Sequence, residues 1–234
     1  MPDRPSPPAP RVAGRRNATT VDVITVTPRA RHLAVLLARA GDARAKERWE
    51  LPWEPQRSDE TLEEQATRIA RTALGLAPAS VEQVAAFGDK RRHPSLSELS
   101  VAYLALTPAG APALAGVEAA WFPVDEAPVL APRQRAMLDL AMQILRMRLD
   151  QAPIAFSLLP PTFTLSQLQE LYELLLGRRL HKASFRRALH AAWLVEPLDE
   201  WRSEGRGRPA QLFRFAPRRR RGARRGVRFD LLRD

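Results

Sequence analysis

The chain contains no cysteine. Disulfides, thiolate metal sites and cysteine nucleophiles are therefore excluded together. No stretch approaches the roughly 20 uncharged apolar residues that cross a bilayer as a helix, so no membrane partner is expected. The opening residues, MPDRPSPPAPRVAGRRN, hold Pro and Arg but no apolar run, which is not the pattern of a secretory signal. Histidine is limited to four residues, and no P-loop, GxGxxG or recognisable Ser/His/Asp arrangement is present. These shortages point away from an enzyme and towards a cytoplasmic protein with no cofactor and no metal. The 234 residues are 45% hydrophobic, enough to bury a core in each of two small domains.

The formal net charge is +11, and its distribution says more than its total. Residues 21–162 are nearly balanced, with 16 basic against 17 acidic residues. Residues 163–234 hold 17 basic and 8 acidic, and all but one of the basic ones are Arg. An Arg-dominated segment of one sign suits a polyanion, because the guanidinium pairs bidentately with phosphate and with guanine edges. Double-stranded DNA is the expected partner of that end.

Along the chain, residues 1–18 read as a disordered arm, Pro-rich and with little to dock it. Val21–Thr27 alternates β-branched and polar residues and reads as a strand, followed by a second apolar run at His32–Ala40. Ser58 is the expected cap of a helix reaching Leu74, with Asp59 and Glu60 in its first turn. Its apolar face is Leu62, Ala66, Ile69, Ala70 and Ala73, and Gly75 closes it. Strands follow at Val81–Phe87 and Leu99–Thr107, a loop at Thr107–Gly116, a short strand at Trp121–Val124 and a long helix at Arg133–Leu149. This order predicts an α+β domain over residues 19–150. Three prolines in Gln151–Pro161 mark a connection to a second domain over 151–216.

In that second domain, Thr164 and Gln167 form a capping box ahead of the helical stripe Leu165, Leu168, Leu171 and Leu175, which Gly177 ends. Lys182–Ala192 is a second helix whose buried face is Phe185, Ala188, Leu189 and Ala192. Two strands, Pro197–Arg202 and Ala210–Phe215, flank the tip Ser203–Pro209. Helix, turn, cationic helix and β-ribbon make up a winged helix-turn-helix. Lys182, Ser184, Arg186 and Arg187 are the candidates to meet base edges in the major groove. Arg206 and Arg208, on the glycine-flexible tip, are candidates for the minor groove. The Arg-rich tail, 217–234, reads as an arm that holds phosphates without reading sequence.

The run from Phe163 to Phe215, FTLSQLQELYELLLGRRLHKASFRRALHAAWLVE followed by GRGRPAQLFRF, closely resembles the winged helix of the Nudix-related regulators of NAD metabolism, the NrtR family. Leu99–Leu106, with Gly88-Asp89 before it, resembles the N-terminal domain of that family. The resemblance implies a Nudix-like α/β/α sandwich joined to a winged helix-turn-helix. It further implies a homodimeric repressor on a palindromic operator, responsive to a nucleotide effector such as ADP-ribose. In active Nudix hydrolases three glutamates on one helix hold Mg²⁺ at a pyrophosphate. Here the motif runs along Glu60–Leu76: Glu60, Arg68, Gly75 and Leu76 match, but the ligand positions are Ile69, Thr72 and Ala73. None of these replaces a carboxylate. A rescue site built from Glu60, Glu63 and Glu64 is the one route back to metal binding. The family's paired glycines are replaced by Trp53-Glu54. Trp53 either stacks on an adenine or fills the groove left open. Arg68, Arg91 and Arg92 are the further candidates for ligand binding, and Trp49 is assigned to the core. Two functions remain open: a ligand-responsive repressor, or a constitutive DNA-binding protein whose Nudix remnant is only a dimerisation scaffold.

Overall fold

A computed structural model describes residues 19–29, 31–40, 48–111, 119–149, 154–203 and 209–215. The expectations for the arm 1–18, for Arg206 and Arg208 and for the tail 217–234 lie outside those residues.

The N-terminal half is a seven-stranded mixed sheet between two helices. In chain order it comprises β1 (Thr19–Arg29), β2 (His32–Arg39), β3 (Trp49–Glu50), β4 (Trp53–Pro55), α1 (Leu62–Leu74), β5 (Ser80–Phe87), β6 (Leu99–Leu106), β7 (Ala119–Pro123) and α2 (Pro132–Arg148). The backbone of the sheet runs β3-β2-β1-β6-β5, with β4 added to β1 and β7 to β2. β1 and β6 are parallel, with Val21 opposite Val101 and Val26 opposite Leu106. Alternation along β1 splits its side chains between two helices. Val21 and Val23 pack with Ala66, Ile69 and Ala70 of α1. Ile24 and Val26 pack in the cluster that holds Met137, Leu138 and Ala141 of α2.

β1 forms where the alternation predicts a strand, and both of its faces are covered: Thr20, Asp22, Thr25 and Thr27 are all fully buried. Helix α1 starts later than expected. Thr61, not Ser58, is its cap, and Thr61 and Glu64 close a complete capping box. Glu60 therefore lies before the helix and is drawn to Arg68, whose Nη2 donates to it at 2.6 Å. The two-residue β3 and three-residue β4 were not expected; both are edge additions fixed by pairing with β2 and β1.

The C-terminal half contains β8 (Thr162–Thr164), α3 (Leu165–Leu176), α4 (Lys182–Ala192), β9 (Val195–Arg202) and β10 (Ala210–Phe215). The capping box of Thr164 and Gln167 forms as expected, and Gly177 closes α3 in the left-handed conformation at φ 66°. The three strands order β8-β10-β9, and Pro197 is tolerated because β9 is an edge.

The proline-rich connection is packed rather than loose. Ile154–Leu158 forms a 3₁₀ turn, and Ile154, Ala155 and Leu158 are buried. Through it one apolar cluster runs without a break from Val35 and Leu37 in β2 to Leu145 in α2, Leu171 and Tyr172 in α3, and Phe185 and Leu189 in α4. The two halves share a core. Truncating Leu168→Ala, fully buried at the centre of α3, is expected to cost about 2–5 kcal/mol, read by urea unfolding. A change under about 1 kcal/mol would contradict the shared core.

Candidate functional site

The central strand β1, the N-terminus of α2 and the loop after β5 converge on Asp22. This carboxylate has no exposure and three partners. Thr20 Oγ1 donates to it at 2.9 Å and Gln134 Nε2 at 3.0 Å, and His93 Nε2 lies 2.8 Å away. The Ser95 backbone N–H donates to His93 Nδ1, which leaves the Nε2–H to face Asp22. A buried carboxylate is tolerated only when paired in this way. His93 has no carboxylate beside it in the chain. The fold supplies one from 71 residues away.

Gln134 carries this network to the rim of a cleft. Its amide accepts from the Leu51 N–H at 3.1 Å and donates to the Leu51 carbonyl at 3.2 Å, pairing with that peptide as a neighbouring strand would. Its neighbour Arg133, also buried, donates to the carbonyls of Ser97 and Asp89, so the loop carrying Arg91 and Arg92 is fastened from below. The cleft encloses about 270 Å³ between β2, the Glu50–Glu54 segment and α1. Ile69, Thr72 and Ala73 form its α1 wall, while Arg39, Glu50 and Glu54 supply its charges.

Of the expected ligand residues, Trp53 is half-buried at the rim, its Nε1–H donating to Glu50 and its ring edge-on to His93 at 5.2 Å between centroids. Arg91 and Arg92 are exposed on the fastened loop, and Arg91 also lies near Asp89 at 3.6 Å. Arg68 sits apart from them on α1. It donates as a fork to both oxygens of Glu54, at 2.9 and 2.8 Å, and again to Glu60. Its own pKa is pushed up by hydrogen bonds to those two carboxylates, Glu60 first. Trp49 packs against the core as expected, edge-on to Phe122 at 4.8 Å, with the Arg39 guanidinium over its ring.

The donor set does not fit the Mg²⁺ of active Nudix hydrolases. The α1 wall offers two apolar side chains and one hydroxyl. Glu60 is held by Arg68, and Glu64 is engaged by Thr61 in the capping box, so the alternative trio with Glu63 does not converge. Among the described residues no group of three His, Asp or Glu side chains is placed to hold a metal ion.

At the other end of the molecule, α4 presents Lys182, Arg187 and His190 to solvent. The other two candidates on α4 are less exposed. Ser184 is half-buried and tied to the His181 ring that caps the helix, at 3.1 Å from its hydroxyl. Arg186 is half-buried, and its Nε is covered with no hydrogen-bond partner among the described residues. Arg178 and Arg179, in the turn before α4, were not singled out, yet they are exposed and lengthen the basic face. The signal was their position in a helix-turn-helix turn, which commonly lies over the DNA backbone.

The NUDIX domain profile matches residues 16–141, and that of the NrtR DNA-binding winged helix domain matches residues 155–215. A protein of Acinetobacter baylyi named ADPR responsive transcriptional repressor NtrR is 31% identical over 204 residues, 84% of this chain and 81% of that one. The crystal structure of Shewanella oneidensis NrtR complexed with a 27mer DNA is similar at 28% identity and a TM-score of 0.77. It covers 86% of this chain and 94% of that one. The same protein crystallised alone is similar at 26% identity and a TM-score of 0.75, with the same coverage.

Two variants test this geometry. Gln134→Ala leaves the Leu51 peptide without its partner and removes one of the two donors at Asp22 Oδ1, where His93 remains, and is expected to lower stability by about 1–3 kcal/mol in urea unfolding; an unchanged midpoint would contradict it. Arg68 holds the Glu60 carboxyl below its ordinary pKa of 4.5, chiefly by hydrogen bonding and against the effect of burial. A lowered pKa contributes stability above the ordinary value that fades as pH falls through the lowered one. Glu60→Gln is therefore expected to flatten the acid limb of the stability profile, and an unaltered limb would show the pair contributes nothing.

Proposed function

We infer that this chain, which belongs to the family of Nudix-domain regulators carrying the NrtR winged helix, is a DNA-binding transcriptional repressor whose N-terminal domain senses a nucleotide effector such as ADP-ribose. The observation that carries the reading is the unbroken apolar core between the cleft-bearing sheet and α4. A ligand that favours one packing of that core favours one placement of the recognition helix. The chain acts in the cytoplasm on genes of NAD or cofactor metabolism, as a homodimer that sets one winged helix on each half of a palindromic operator. Lys182 and Arg187 read base edges, with Ser184 and Arg186 shaping that surface. Arg178 and Arg179 take phosphates, Arg206 and Arg208 enter the minor groove, and the tail 217–234 adds sequence-independent affinity. The sensor has lost hydrolase activity, because Ile69, Thr72 and Ala73 cannot hold the cation that polarises a pyrophosphate.

The carboxylates that occupy Arg68 favour a second reading, in which the Nudix remnant is only a dimerisation scaffold. One titration separates the two. Fluorescence anisotropy of the protein on its own upstream DNA, at fixed salt, is expected to show specific binding that ADP-ribose weakens. Specific binding indifferent to ADP-ribose and related nucleotides supports the scaffold.

In the same assay Arg187→Ala is expected to cost about 1–3 kcal/mol on that DNA and little on random DNA. Equal losses on both would make Arg187 a phosphate contact. With Mg²⁺ the protein is expected to release no phosphate or mononucleotide from ADP-ribose, and turnover abolished by Glu60→Ala would overturn the loss of catalysis.

A further inference from the structure

The residues after β10 are of two kinds. The arginines at 218–221, 224 and 225 suit phosphate. The nine residues 226–234, GVRFDLLRD, do not continue that pattern, and every large apolar side chain after Phe215 lies within 227–232. Val227, Phe229 and Leu231 alternate with Arg228 and Asp230, which is the pattern of an extended segment with one apolar face. Holding phosphates gives such a face no role, and covering it is favourable wherever a matching surface lies within reach.

A matching surface lies where the two halves meet. A groove of about 480 Å³ is lined by Ala79 and Pro108 from the sheet half and by Phe156, Pro161, Phe163 and Phe215 from the connection and the winged half. Phe156 stacks on Phe215 at 4.5 Å between centroids and is tilted to Phe163 at 5.6 Å. Phe163 is buried, whereas Ala79, Pro161 and Phe215 are exposed. Phe215 is the last residue of β10, so the chain that carries 226–234 departs from the wall of this groove. Phe229 follows Phe215 by fourteen residues, and an unstructured segment of that length spans roughly 20 Å. Tethered in this way, the segment meets the groove at an effective concentration on the order of millimolar, where even a weak contact is occupied.

We propose that residues 227–232 dock in this groove as an extended segment of the same chain, with Val227, Phe229 and Leu231 against Phe156, Phe163 and Phe215. The arginines at 218–225 are then held as a closed loop beside β10 and presented to phosphate from there. The docked segment meets the sheet half at Ala79 and Pro108 and the winged half at Phe163, and so braces one half on the other. The proposal does not depend on the identity of the effector or of the operator.

Photocrosslinking of the full chain in dilute solution tests it, with p-benzoylphenylalanine in place of Phe229 so that an aromatic ring stays at the anchor. The expected product has the mass of one chain, with the link mapped by mass spectrometry to residues 154–163 or to Phe215. Adding Leu231→Ser is expected to cut the yield of that product by roughly threefold or more, since burying one leucine is worth roughly tenfold or more in the docking equilibrium. The same probe in place of Leu231, with Phe229→Ser as its control, carries the comparison if the larger ring does not fit at 229. Links scattered over the surface, or a yield indifferent to the serine substitution, overturn the docking. Links to the same groove that join two chains overturn the assignment to the same chain and make the segment of a second copy the occupant.

Discussion

A carboxylate inside a sheet between two helices is costly unless it is paired and hydrogen-bonded, and Asp22 is such a carboxylate. Its partners come from three directions: Thr20 on the same strand, His93 on the loop after β5, and Gln134 on α2. Satisfying it fixes the relative position of all three. Because Gln134 also pairs with the Leu51 peptide, the floor of the cleft is fixed in the same step. Because Arg133 follows the same helix turn into the 88–98 loop, so are Arg91 and Arg92. The charged end of the sheet is thus built around one buried group and closed by two adjacent residues of one helix.

The same helix links the two halves of the molecule. Its N-terminal turn holds the cleft, and Met142 and Leu145 along it pack in the cluster that takes in Ile154, Leu158, Leu171 and Phe185. A packed core of this kind does not deform smoothly; it favours discrete arrangements. A ligand that contacts Trp53 acts on the segment around Leu51, hence on α2, and through the shared core on α4. The route is contiguous in space.

Much of this was legible in the chain. The capping box of Thr164 and the stripe from Leu165 to Leu175 are local features, and local features read well. The cap of α1 lies at Thr61 rather than the expected Ser58, because Thr61 and Glu64 complete a capping box and Ser58 has no Glu or Gln three residues on. Residues that act across distance were invisible. Asp22 is one of the polar residues in the alternating pattern VDVITVT, and nothing in that pattern names His93 or Gln134 as its partners. Gln134 looked like an ordinary helix residue. Spacing alone sets Ile69, Thr72 and Ala73 against the glutamate positions of active Nudix hydrolases, whereas the fork between Arg68 and Glu54 joins residues fourteen apart and needs the fold.

If the cleft and α4 share one two-state core, their ligands must influence each other equally and reciprocally. The affinity of the full chain for ADP-ribose, measured by calorimetry with and without saturating upstream DNA, tests this most directly. DNA is expected to weaken ADP-ribose binding by the same factor by which ADP-ribose weakens DNA binding. An affinity for ADP-ribose unchanged by bound DNA would contradict it.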